Sequence, residues 1–113
     1  MLTIQQFKDW RISLHENLQG ISCIYMIEIE NKFYIGLTTD IYKRMKNHIG
    51  DVNKRQHYPL YKAIKNNGLS DCKVYILHTC DDFEELRKLE IEEIENRNTL
   101  YPYGLNANRG GAC

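Results

Sequence analysis

Apolar residues change their period several times along the chain, and each change predicts an element. Thr3 followed by Gln6 fits a capping box, and Phe7, Trp10, Ile12 and Leu14 then recur at loose helical spacing before Gly20. An N-terminal helix is expected there. Residues 22–29 (Ser-Cys-Ile-Tyr-Met-Ile-Glu-Ile) and 32–37 (Lys-Phe-Tyr-Ile-Gly-Leu) are rich in β-branched and aromatic side chains and are separated by Glu30 and Asn31, the pattern of a hairpin. A loop of even length puts Tyr25 and Tyr34 on one face of it, because strand side chains alternate with period two.

Thr39 or Asp40 can cap a helix over about residues 40–50, and Pro59 suits the first turn of another that Gly68 ends. Residues 72–79 read as a third strand. Asp81, with Glu84 three residues later, is then expected to cap a last helix running to about Asn98. From Thr99 onward Pro102, Gly104, Gly110 and Gly111 predict a loop. The order suits an α/β (α+β) fold: a small three-stranded antiparallel sheet flanked by helices, with residues 1–20 as an extra helical extension and 21–113 as the main domain.

Composition narrows the class. A chain of 113 residues holds one core and is too short for two. Apolar content of 42% and charged content of 27% are ordinary for a globular protein. No apolar run approaches the roughly 20 residues that span a bilayer, and the first residues lack a signal-peptide pattern, so a cytoplasmic protein with no membrane partner is expected. Cysteines 23, 72, 80 and 113 form no C-x-x-C pair of the kind that binds zinc. Cys23, Cys72 and Cys80 read as small strand residues and Cys113 as a free thiol.

The zero net charge hides a strong asymmetry. Residues 40–66 carry seven Lys/Arg against two acids, whereas 81–95 carry eight acids against two bases. A basic patch of this kind suits a phosphate-rich partner.

Four features look chemical. Phe83, Leu86, Glu90 and Ile94 follow one another at intervals of three, four and four, which places Glu90 inside an apolar helical stripe. A carboxylate there must protonate, pair or bind a metal, unless it sits at the edge of the stripe and reaches solvent. Arg44 and His48 lie one helical turn apart beside Ile41, Met45 and Ile49, so both can reach over the tyrosine-bearing sheet face; alone, they also fit a solvated basic face. Tyr25 and Tyr34 singly would be packing residues. Asn106, among Gly104, Asn108, Gly110 and Gly111, singly would be a turn residue. Together, a cation for phosphate, a carboxylate for one hard metal ion and a hydroxyl beside an imidazole meet the needs of phosphodiester hydrolysis.

Their order is also specific. Cys-Ile-Tyr at 23–25, eight residues, Tyr-Ile-Gly at 34–36 and then Arg44-x-x-x-His48 resembles the GIY-YIG nuclease superfamily, especially the catalytic domains of phage homing endonucleases. His57 stands nine residues after His48, where such enzymes often carry a second histidine. Residues 59–64 resemble the family's middle helix, Glu90-x-x-x-Ile94 its metal-binding helix, and Tyr103-Gly104-Leu105-Asn106 with Gly110-Gly111 its closing motif. The resemblance covers about residues 21–111. It departs at Cys23, where the first motif usually has glycine, and in a short hairpin. Homing enzymes also continue into a linker and a DNA-recognition region beyond the point where this sequence ends, which leaves sequence specificity open.

The resemblance implies a role for each residue. Glu90 would hold one divalent cation, Mg²⁺ or Mn²⁺, and Arg44 would offset charge on the phosphate. Tyr25, assisted by His48, would take the proton of the attacking water; an ordinary histidine titrates near ~6.5, which suits a relay at neutral pH. Tyr34 would position water or phosphate, and Asn106 would bond the Glu90 side of the site or the phosphate and hold its loop. His57, Lys43, Lys46, Lys54, Arg55, Lys62 and Lys65 are candidates for backbone contacts, part of them being equally well a solvated helix face. The implied activity is metal-dependent hydrolysis of DNA, with RNA open, leaving 5′ phosphate and 3′ hydroxyl ends. The alternatives are a nucleic-acid-binding module, and a nuclease subunit whose substrate is chosen by a specificity subunit or within a homodimer. Exposed Phe7 and Trp10 would favour the last.

Overall fold

The computed structural model describes residues 2–9, 18, 20–108 and 110. In chain order the elements are β1 (Leu2–Thr3), α1 (Ile4–Lys8), β2 (Cys23–Ile29), β3 (Lys32–Thr38), α2 (Ile41–Asp51), α3 (Pro59–Asn67), β4 (Lys73–Thr79) and α4 (Phe83–Arg97), with a short 3₁₀ turn over Leu69–Asp71. The sheet is antiparallel with strand order β1-β4-β2-β3. It has four strands where three are predicted. The additional strand is two residues long and pairs Leu2 with Val74 and Thr3 with Lys73, a long-range pairing too short to show any alternation in the sequence.

The β2–β3 hairpin closes as expected. Ile29 faces Lys32 across Glu30 and Asn31, both of which take positive φ, 50° and 65°, the conformation of the tight turns that match strand twist. The register sets Tyr25 opposite Gly36 and Ile27 opposite Tyr34, so Tyr25 and Tyr34 share a face.

Strand β2 is central and covered on both sides, which explains why its sequence is an almost unbroken apolar run. Cys23, Tyr25, Ile27 and Ile29 pack with Ile4 and Phe7 of α1, Ile41 and Met45 of α2, and Leu60 and Ile64 of α3. Ile24, Met26 and Ile35 pack with Leu86 and Ile94 of α4. The molecule therefore has three layers, with α4 alone among the described helices on the second face.

Helix boundaries follow local chemistry. Asp40 caps α2 by accepting from the Lys43 N–H at 3.1 Å, and Pro59 opens α3, which ends at Gly68 with φ of 89°. The cap of α4 is Asp82, one residue later than expected: its carboxylate accepts from the Glu84 and Glu85 N–H groups at 3.0 and 3.4 Å. Thr3 and Gln6 do form a capping box. Phe7 is fully buried, its ring 5.6 Å from that of Tyr42, so it offers no exposed docking surface. Trp10, Ile12, Leu14, Gly111 and Cys113 lie outside the described residues. Cys23 is a strand residue, whereas Cys72 and Cys80 flank β4 instead of lying in it; all three are free thiols. Among the described residues no helix is long and apolar enough to cross a membrane.

Candidate active site

The site starts from a glycine. A Cβ at Gly36 would overlap the phenol ring of Tyr25, so the Tyr-Ile-Gly triplet leaves open the space into which the opposite tyrosine folds. Tyr25 is fully buried, and its hydroxyl lies 2.7 Å from Nε2 of His48 on α2. The other ring nitrogen, Nδ1, lies 2.9 Å from the hydroxyl of Tyr61 on α3. Tyr34 closes the group, its ring edge-on to His48 at 5.6 Å and 6.1 Å from the Tyr25 ring.

His48 is completely buried. Burial, reinforced by the nearby Arg44 charge, pushes its pKa down to about 3. This corrects the expectation of a histidine that titrates near neutral pH: the imidazole is neutral, with one nitrogen donating and the other accepting. Tyr25 and Tyr34 both titrate above the usual phenol range because they are buried, and in each the Arg44 charge works in the opposite direction. Burial acts against the Arg44 charge as well, yet the hydroxyls of Tyr25 and Tyr34 outweigh it and hold the guanidinium firmly protonated.

These groups open onto a cleft of about 390 Å³ at the edge of β3. Tyr25, Tyr34 and Arg44 line it from the first sheet face, Glu90 from α4, and Leu105 to Asn108 with Gly110 from the tail. Glu90 is buried, as its place in the apolar stripe predicts. Gly110 lies against it: with φ of 84°, a Cβ there would stand 2.9 Å from Cδ1 of Ile94 and 3.0 Å from Oε1 of Glu90.

Asn106 clasps the outer edge of β3. Its Oδ1 accepts from the Ile35 N–H at 2.8 Å and from the Thr99 hydroxyl at 2.7 Å, and its Nδ2 donates to the Ile35 carbonyl at 2.8 Å. The neighbouring Leu105 N–H donates to the Phe33 carbonyl at 2.8 Å. The tail thereby pairs with groups that an edge strand would otherwise leave open. Asn106 thus ties the tail to β3 and to Thr99.

Among the described residues no three His, Cys, Asp or Glu side chains gather in a metal cluster. Glu90 and Asp51 each bring a carboxylate to a polar cleft. That donor set suits a hard cation that keeps most of its water and takes further oxygens from a phosphate, and it does not suit structural zinc.

The structure brings Tyr25, Tyr34, Arg44, Glu90 and Asn106 to one cleft and places His48 directly behind it. Of the proposed backbone-contact residues only Arg55 lines the cleft. Lys43, Lys46, Lys54, Lys62 and Lys65 are exposed along α2, α3 and the segment between them. His57 is exposed too, and packs against Tyr58 with ring centroids 4.4 Å apart and the rings tilted by 47°. Sequence reasoning missed Asp51, Tyr58 and Tyr61, which also line the cleft. Tyr61 belongs to a helix whose apolar spacing explains it as core, and its partner is 13 residues away on another element, so no local pattern marks it.

The α+β sheet gathers two tyrosines, an arginine, an imidazole and a carboxylate about one cleft and its back wall. The family model described as the GIY-YIG catalytic domain matches residues 21–103, and the chain belongs to that family; it is a nuclease. Two solved structures are similar. One is the catalytic domain of intron endonuclease I-TevI carrying a glutamate-to-alanine mutation, with TM-score 0.69 and 25% identity over 80% of this chain and 96% of that one. The other is the catalytic domain of homing endonuclease I-TevI, with TM-score 0.66 and 25% identity over 77% of this chain and 98% of that one. No curated protein sequence matches significantly.

Proposed function

We propose that this chain is a divalent-metal-dependent endonuclease that hydrolyses DNA phosphodiester bonds. The observation that carries the proposal is the convergence, in one cleft, of the Tyr25–His48 pair, Arg44 and Glu90. Both similar structures are catalytic domains of endonucleases, and DNA is the substrate that resemblance suggests.

The roles follow from the environment of each group. Tyr25 accepts the proton of the attacking water while its own proton moves to Nε2 of His48, at 2.7 Å. Transfer to a hydrogen-bonded neighbour spares the site a free tyrosinate, which burial disfavours. Arg44 is permanently cationic at the cleft wall and meets the negative charge that grows on the phosphoryl oxygens. Tyr34 orients water or phosphate beside it. Glu90 is the residue that would hold the cation, and Mg²⁺ or Mn²⁺ bound there would supply charge to stabilise the phosphate and the departing 3′ oxygen. Asn106 keeps the tail seated so that the Glu90 side of the cleft retains its shape. Arg55 at the cleft and the lysines along α2 and α3 would meet flanking phosphates.

Nicking of supercoiled plasmid with Mg²⁺ tests this reading. Cleavage that disappears with EDTA, and in both Glu90→Ala and Arg44→Ala, is the expected result. A well-folded wild-type chain that cuts neither duplex nor single-stranded DNA with any divalent cation refutes it.

A further inference from the structure

His48 has two partners, and only one belongs to the mechanism above. Tyr25 holds Nε2, while Tyr61 holds Nδ1 at 2.9 Å. Tyr61 is 5% exposed but belongs to the cleft lining together with Asp51, Arg55 and Tyr58. Tyr25, His48 and Tyr61 thus form a continuous line of hydrogen bonds from one hydroxyl of the cleft lining, through a buried imidazole, to a second.

We propose that Tyr61 is a positioning residue for strand cleavage: it fixes the tautomer of His48 and carries onward to the cleft the proton that Tyr25 passes to the imidazole. The inference rests on the nuclease reading of the site and adds a residue to it.

Donors and acceptors decide the tautomer. A neutral imidazole has one N–H and one bare nitrogen. For Tyr25 to donate to Nε2, that nitrogen must be bare, so the proton sits on Nδ1 and Tyr61 oxygen accepts it. In this arrangement Nε2 takes up none of the lone pairs of Tyr25 oxygen, which also meets Arg44 and Tyr34. The opposite tautomer would donate from Nε2 to Tyr25 and occupy one of those lone pairs. His48 is met by Tyr25 from β2, Tyr34 from β3, Tyr61 from α3 and Arg44 from its own helix. With a cation beside it, an imidazolium is a poor place to leave a proton, and a relay that loses one proton as it gains another avoids forming it.

The transfer balances. The water O–H breaks as a new O–H forms on Tyr25. The former Tyr25 proton bonds to Nε2, the Nδ1 proton bonds to Tyr61 oxygen, and the former Tyr61 proton leaves to cleft solvent. The imidazole ends in its other tautomer and returns when a proton passes back along the same line after product release. Tyr61 is itself surrounded by Arg44, Tyr34, Asp51, Arg55 and Tyr58, so its hydroxyl has both charged and neutral groups within its field at the exit.

The experiment compares wild type, Tyr25→Phe and Tyr61→Phe in kcat, KM, pH profile and solvent isotope effect, alongside ¹⁵N-histidine NMR of the uncut protein. The expected results are an Nδ1–H tautomer for His48 in wild type that is lost in Tyr61→Phe, and a kcat about 10- to 100-fold lower in that variant with KM little changed. The variant's rate should also rise with pH, because Tyr25 must then lose its proton before it can act, and its proton inventory should become linear where the wild type's is curved. An Nε2–H tautomer in wild type, or wild-type kcat and pH profile in Tyr61→Phe while Tyr25→Phe is inactive, overturns the relay and leaves the nuclease reading standing. A wild-type chain that cleaves nothing overturns that reading and the relay with it.

Discussion

The two halves of the candidate site are built by opposite means. The hydroxyl and imidazole half lies on the sheet face covered by α1, α2 and α3, where Tyr25 and His48 are fully buried and each polar group meets another. The carboxylate half comes from α4 on the other face and is completed by the tail, with Gly110 against Glu90 and Asn106 tied to Ile35. One half is a region of core that happens to be polar. The other is a surface helix finished by a loop. The difference implies that the Tyr25–His48 pair is held by packing of the helices, whereas the surroundings of Glu90 are completed by contacts from the tail. Chemistry should fail first when the tail is disturbed and last when the helices are.

Substitutions that strip a charge from the cleft should have the largest effect in either half. Arg44→Ala is expected to lower cleavage by about 10²–10³-fold with little change in melting temperature, since Arg44 is only half-buried; single-turnover kinetics and calorimetry measure the two sides. Gly36→Ala attacks the packed half through its backbone. The new methyl displaces the Tyr25 ring, and overpacking of this kind should cost about 3 kcal/mol in urea unfolding and abolish activity together with stability.

Asn106→Ala attacks the tail half. It leaves the Ile35 N–H and carbonyl and the Thr99 hydroxyl without their partner, at a cost of about 1–3 kcal/mol. Here activity should fall by more than the stability loss explains, and hydrogen exchange at Ile35 should accelerate.

A pH titration sharpens the same contrast. The unfolded chain protonates His48 near ~6.5, whereas the folded chain does so only at about 3. The folded state therefore binds fewer protons in between. The His48 contribution is present above the unfolded value and is lost as pH falls toward the folded one, with a slope of at most about 1.4 kcal/mol per pH unit. Stability of wild type minus that of His48→Gln, measured between pH 7 and pH 4 on the ordinary scale, should show this slope. Gly110→Ala should have the smallest effect on folding, about 1 kcal/mol for a residue with φ of 84°. It should nevertheless shift the divalent-ion dependence of cleavage by pressing on Glu90.

The sequence reveals the packed half better than the tail half. The two-residue gap between 22–29 and 32–37 sets the hairpin register, and with it the shared face of the tyrosines, because strand side chains alternate with period two. The stripe through Leu86, Glu90 and Ile94 likewise marks Glu90 as a carboxylate at or in the apolar face, and the structure buries it. What the sequence hides is non-local. Pairing of Leu2 and Thr3 with β4, the bond from His48 to Tyr61 and the clasp of Asn106 on Ile35 each join distant segments, and none leaves a periodic trace. The one-residue error at the cap of α4 arose because Asp81 and Asp82 are adjacent and equally suited to the role. The buried state of His48 was hidden for the same reason as Tyr61: the groups that desolvate it come from other strands and helices.

The sheet ends in two strands, β1 and β3, that could each recruit a stray chain. The first is two residues long, and the second is occupied by Leu105 and Asn106. Short edges and covered edges are both ways in which proteins escape intermolecular strand addition. The tail residues that shape the cleft therefore also cover a sheet edge, so a change at Asn106 would open that edge as well as alter the cleft.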